Sequence, residues 1–106
     1  MMDNYSVSII PDQDDAKKSA RIELSGELSI QYIHEIRDQL DKAISNFKNI
    51  ELFISDVYII DLTILQYFIS LKKSEKMLDK SIKFSFELSE GLKELIEHAG
   101  FNHIEN

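Results

Sequence analysis

The chain has no cysteine, no tryptophan, one proline and three glycines in 106 residues. Without cysteine there is no disulfide, no thiolate metal site and no cysteine nucleophile. No apolar run approaches the roughly 20 residues of a membrane-spanning helix, and Met1-Met2-Asp3-Asn4 lacks the basic and apolar regions of a signal peptide. A soluble, cytoplasmic protein without direct membrane insertion is therefore expected. A basic cluster is missing too. The net charge is −7, from 19 acids against 12 Lys and Arg, and the bases alternate with acids, as in Lys72-Lys73-Ser74-Glu75-Lys76. A nucleic-acid surface needs clustered Lys and Arg to displace counterions, so the composition argues against nucleic acid as a partner. The segment reads instead as a solvated helix face. The chain also lacks a Gly-x-Ser-x-Gly elbow, a His-Glu-x-x-His pair and a phosphate-binding glycine loop, which points away from an enzyme.

What the chain does have is apolar material, 43% of its residues, enough at this length for the core of one domain. Its periodicity changes along the sequence. Tyr5-Ser6-Val7-Ser8-Ile9-Ile10 alternates and meets Pro11, Asp12 to Ser19 is polar, and Ala20-Arg21-Ile22-Glu23-Leu24-Ser25 alternates again before Gly26. This predicts an antiparallel hairpin with one face on the core. From Ser29, a candidate cap, Ile33, Ile36, Leu40, Ala43, Ile44 and Phe47 recur at period 3.6, the pattern of an amphipathic helix. Ile50-Glu51-Leu52-Phe53-Ile54 reads as a short central strand covered on both faces. A helix carrying Leu65, Phe68, Ile69 and Leu71 runs on toward Met77 and Leu78. Ile82-Lys83-Phe84-Ser85-Phe86 is a fourth strand, and Ser89 caps a last helix whose Leu92, Leu95, Ile96 and Ala99 share a face, with Gly100 as its stop. The order is β-β-α-β-α-β-α, an α/β fold with a four-stranded mixed sheet packed by helices.

The segment richest in chemistry is Tyr58-Ile59-Ile60-Asp61-Leu62-Thr63-Ile64-Leu65-Gln66-Tyr67-Phe68, where a strand turns directly into a helix. It sets a carboxylate and a hydroxyl beside the unpaired amides of a helix N-terminus. Three roles are open. Thr63 with Gln66 fits a capping box; Thr63 can accept a phosphate, whose charge the helix dipole tolerates; or Asp61 and its apolar neighbours form a constitutive docking patch bordered by Tyr58 and Tyr67. His98 and His103, near Glu94 and Glu97, raise the question of a metal, but histidine near a helix C-terminus is favoured by the dipole alone. No metal is expected there, nor at the solvated His34.

Taken in order, the Leu24-Ser25-Gly26-Glu27-Leu28 turn, Ile60-Asp61-Leu62-Thr63-Ile64-Leu65, Phe84-Ser85-Phe86-Glu87-Leu88 and Ala99-Gly100-Phe101 resemble the STAS domain of sulphate transporters and anti-sigma factor antagonists, over about residues 5 to 103. The resemblance implies a single small domain without catalysis, binding an anti-sigma factor or related serine/threonine kinase-like protein as a monomer or weak dimer. The implied docking residues are Asp61, Leu62, Thr63, Ile64, Gln66 and Tyr67. An alternative within the family is a structural subunit of a larger assembly such as a membrane-lipid transporter. In phospho-switched members the aspartate is followed by Ser, then Ser or Thr, then Gly and Leu. Here Leu62 stands at the usual acceptor place, Thr63 beside it is the remaining hydroxyl, and Ile64 replaces the glycine. Some members bind nucleotide near the place of Ser29, but Ser29-Ile30-Gln31-Tyr32 offers no phosphate cradle, and no cofactor is expected.

Overall fold

Alternation gives the second strand one buried face, whereas the first packs only its half-buried Tyr5 and Val7 on the core and leaves the successive Ile9 and Ile10 exposed. In the computed structural model, which describes residues 4–14 and 18–98, β1 (Tyr5–Pro11) lies antiparallel to β2 (Ser19–Leu28), from Tyr5 opposite Gly26 to Pro11 opposite Ala20. Pro11 ends an edge strand, where a missing N–H can face away from the ladder. β2 pairs parallel with β3 (Asn49–Ile60) and β3 with β4 (Ser81–Glu87), so the sheet order is β1-β2-β3-β4. A 3-10 turn (Ile30–Tyr32) and α1 (Ile33–Asn46) join β2 to β3; α2 (Leu62–Lys73) and α3 (Glu75–Leu78) join β3 to β4; α4 (Glu90–His98) follows. The mixed four-stranded sheet expected from the sequence is therefore present. No helix among the described residues is long and apolar enough to cross a membrane.

Both crossovers step the same way across the sheet, and right-handed connections then lay their helices on the same face. The core forms there. Ile22, Leu52 and Phe84 make one row in register, Leu24, Ile54 and Phe86 the next, and Ile36, Leu40, Leu65 and Phe68 close over them. The Phe68 ring sits 5.3 Å from Phe84 and 6.4 Å from Phe86, centroid to centroid. Each such buried side chain contributes about 1.5–3 kcal/mol. β3 is accordingly covered on one face, not two as its short apolar run implied. Glu51 and Phe53 lie half-buried on the opposite face, where the Arg21 guanidinium stacks 4.0 Å from the Phe53 ring centroid. The intervening glutamate in Ile50-Glu51-Leu52 already marked that wetter face.

Other expectations shift at irregular backbone. β2 does not break at Gly26 but passes through it at φ +89°, with a Cβ excluded by the Asn4 carbonyl. β3 is twelve residues long and unites Ile50–Ile54 with Tyr58–Ile60 through Asp56, whose positive φ of 53° is tolerated by aspartate. Relative to β2, β3 carries two extra residues: Leu24 faces Ile54, Gly26 faces Val57, and Glu27 faces Ile59. The second helical run stops at Ser74, leaving Met77 89% exposed and Leu78 partly so, outside the core rather than along it. In α4, Ile96 is buried and Leu92 packs on the core, whereas Leu95 faces water. Ser89 caps α4 as expected, accepting from the Leu92 N–H at 3.3 Å. Ala99 and Gly100 lie outside the described residues.

The Lys72–Lys76 segment is more than a solvated face. Lys72 Nζ donates to the Ile82 carbonyl at 2.9 Å, Glu75 Oε2 accepts from the Ile82 N–H at 2.8 Å, and the two side chains pair at 3.3 Å. Together they satisfy both backbone groups of Ile82 on edge strand β4, where a further strand could otherwise add.

Candidate functional site

The strand-to-helix turn is built around one aspartate. Asp61 leaves β3 with its own N–H donating to the Leu28 carbonyl at 3.2 Å, and its carbonyl accepts from the Leu65 N–H at 3.1 Å to start α2. Its backbone is extended (φ −114°, ψ 173°), the usual N-cap conformation. The carboxylate then divides. Oδ1 accepts from the Ile64 N–H at 3.1 Å, and Oδ2 accepts from the Ile30 N–H at 2.7 Å, 31 residues earlier in the chain. One carboxylate thus serves the N-terminal amides of two segments, the 3-10 turn leading into α1 and the first turn of α2.

This corrects two capping assignments. Thr63 is not the cap of α2; it occupies the second helical position, half-buried, because the helix starts two residues earlier, with Asp61 as its N-cap and the Ile64 amide as the one that is met. Ser29 does not cap α1 through its side chain either. It is buried and its hydroxyl donates to Glu27 Oε2 at 2.8 Å, while its carbonyl accepts from Tyr32 N–H. The shorter serine side chain is spent on Glu27, and the longer aspartate reaches Ile30 from across the turn.

The residues expected to dock a partner divide by burial. Leu62 and Gln66 are exposed, and Asp61 and Thr63 are half-buried. Ile64 is fully buried and Tyr67 nearly so, which removes both from the surface and overturns Tyr67 as a border of the patch. They face inward because residues at i, i+3, i+4 and i+7 of a helix share a face, and positions 64, 67, 68 and 71, with 65 beside them, form the apolar stripe packed on the sheet. Tyr67 keeps its polar tip satisfied by donating to Asp41 Oδ1 at 2.7 Å, with Arg37 beside the ring. Burial first, and then the Asp41 bond and charge, push its phenol well above its ordinary value; Arg37 opposes and Asp38 adds to the shift.

To Tyr58 and Leu62, already expected at the patch, the structure adds Ile30 and Ile59. Ile30 is 64% exposed, Tyr58 59%, Leu62 55% and Ile59 43%. Ile30 is tied to Asp61, Glu27 pairs with Ile59, and the Tyr58 hydroxyl donates to the Asn4 carbonyl, which also accepts from the Glu27 N–H. All four therefore gather where the parallel strands end. Ile30 and Ile59 went unnoticed because a single apolar residue beside a turn carries no period; the doublet Tyr58-Ile59 before the buried Ile60 was the available sign. Asn4 Nδ2 donates to the Tyr32 hydroxyl at 2.6 Å, and the Tyr5 and Tyr32 rings lie 5.2 Å apart, fixing β1 against this end. Among the described residues no cluster of His, Asp and Glu could hold a metal ion; His103 lies outside them.

No family model and no curated protein sequence matches the chain. Among solved structures it superposes on the anti-sigma factor antagonist SpoIIAA in its unphosphorylated form with a TM-score of 0.71 at 13% identity, covering 95% of this chain and 86% of that one. The Bacillus cell fate determinant SpoIIAA in the phosphorylated form gives 0.66 at 13% identity, over 95% and 89%. The likeness at this identity is one of fold, and the fold is the STAS fold that the sequence motifs resemble.

Proposed function

We propose that this chain, whose fold is that of the antagonist SpoIIAA, is a non-catalytic interaction module that docks a signalling partner, an anti-sigma factor or related kinase-like protein, through the turn beginning at Asp61. The observation that carries the reading is Leu62: a large apolar side chain, 55% exposed at the first position of α2, beside a turn pinned through four hydrogen bonds of Asp61. An exposed apolar residue on a backbone that cannot yield is suited to fill a pocket on a partner with little ordering cost. Thr63 and Gln66 flank it on the same turn, while Asp61 contributes by holding the turn's shape. Where the turn is covalently regulated, Thr63 is the acceptor, since Leu62 has no hydroxyl; a phosphate there would add up to about two negative charges beside the Asp61 carboxylate and so change the charge that the turn presents to its partner.

Photo-crosslinking in the source cell tests the docking. A photoreactive residue at Leu62 should give one discrete adduct with a signalling protein, and the same residue at the exposed Met77 should not. Equal labelling from both positions, or none from Leu62, would overturn the reading. Asp61→Lys is a poor probe, because it breaks the turn as well as any contact. Regulation is read separately from intact mass: an added phosphate that Thr63→Ala removes is expected, and an unmodified mass in every growth condition would eliminate it.

A further inference from the structure

The three parallel strands share a charge pattern. Each is entered from a lysine, Lys18 before Ser19, Lys48 before Asn49 and Lys80 before Ser81, and these starts are linked by backbone bonds from Lys48 N–H to the Lys18 carbonyl and from Ser81 N–H to the Lys48 carbonyl. The opposite end is formed by residues 25–35, 55–66 and 86–91, which contain no lysine or arginine. They contain six acids, Glu27, Glu35, Asp56, Asp61, Glu87 and Glu90. The lysine end is mixed, with Asp12, Asp14, Glu75 and Asp79 nearby, whereas these three segments of the other end carry one sign, the first cations that follow the first and last of them being Arg37 and Lys93. The other end is also where Ile30, Tyr58, Ile59 and Leu62 are exposed together.

An apolar centre with a single-sign rim selects its partner's chemistry, because a like-charged rim opposite it is repelled and an opposite one is attracted and steered. We propose that this surface takes a partner protein whose contacting face is apolar at its centre and carries Lys or Arg at its rim. The inference rests on the docking reading above and specifies the occupant. Asp61 itself is engaged by two backbone amides, so the rim attraction falls to the freer acids, among them the exposed Asp56 and Glu87. Asp56 is held at a positive φ on the β3 bulge, next to Tyr58, and Glu87 ends β4 opposite Ser55.

Three synthetic amphipathic peptides with the same apolar face, bearing Lys, Gln or Glu on the polar positions, provide the probe. Amide NMR titration of the whole chain reports both site and affinity. The Lys peptide should move the amides of Ile30, Tyr58, Ile59 and Leu62 and bind about tenfold tighter than the Gln peptide at low salt. That margin should vanish between about 0.01 M and about 1 M salt, as the screening length falls from roughly 30 Å to roughly 3 Å. Asp56→Asn with Glu87→Gln should reduce the preference severalfold while Tyr58→Ser weakens all three peptides. If all three bind this end equally well, the docking surface stands and the basic partner is refuted. If every peptide perturbs only other parts of the chain, both fall.

Discussion

Asp61 is the position where a small substitution series gives the sharpest test. Alanine removes both carboxylate contacts, to Ile64 N–H and to Ile30 N–H. The N-cap bond is worth about 1 kcal/mol. The second is shorter and charge-assisted but partly exposed, and is worth about 1 kcal/mol after solvent competition. Asp61→Ala should therefore cost about 2 kcal/mol. Serine caps a helix well but is too short to reach Ile30, so Asp61→Ser should cost about 1 kcal/mol. With a urea slope of about 1.5 kcal/mol/M, the unfolding midpoint falls by about 1.3 M for alanine and about 0.7 M for serine. Amide exchange adds residue resolution: in the serine variant the Ile30 amide should lose protection while Ile64 keeps it. A serine variant as damaging as alanine, or as stable as the parent chain, would refute the claim that one carboxylate bridges two segments.

Three further outcomes follow from the same geometry. Glu75→Ala should cost about 1–2 kcal/mol by leaving the Ile82 N–H unpaired, and should raise concentration-dependent self-association in sedimentation, since it uncovers the β4 edge. A monomeric Glu75→Ala chain across the concentration range would count against that edge role. Gly26→Ala should destabilise by more than about 1 kcal/mol, because its φ is +89° and the added carbon meets Asn4, and tyrosine fluorescence should report the release of Tyr58 from the Asn4 carbonyl; an unchanged melting temperature refutes it. Tyr67 has an ordinary value of 10.0 that folding raises, so the folded state holds its proton longer than the unfolded chain. Its contribution is complete below about pH 10 and is lost as pH rises beyond that. Tyr67→Phe should cost about 1 kcal/mol at neutral pH and flatten the alkaline decline; an unaltered alkaline limb would contradict the assignment.

The sequence made the regular parts of this fold legible and the irregular parts opaque, for physical reasons. Ile33, Ile36, Leu40, Ala43 and Ile44 could be placed on one helix face because burial imposes a period that composition preserves. The Ser89 cap was readable because its partner lies three residues away. The double duty of Asp61 was not, since the Ile30 amide is 31 positions distant and backbone N–H groups leave no mark in a sequence. Thr63 looked like the cap only because the nearest hydroxyl is the natural candidate when the long-range contact is hidden. Ile64 and Tyr67 were placed on the docking face by their nearness to the turn, whereas the helical stripe, which runs through both, assigns them to the core.

The two extra residues in β3 have a further consequence. A regular strand returns to the same face every second position, yet Ile54, Val57 and Ile60 all point into the core at intervals of three. Each irregularity resets parity, and the second leaves Tyr58 and Ile59 outward in succession, a combination no unbroken strand would allow. The apolar surface at this end is thus created by the path of the backbone, without withdrawing any residue from the core. Tyr58 and Ile59 can therefore be exchanged for other side chains at little expense to folding, so recognition here is able to diverge while the scaffold that presents it stays the same.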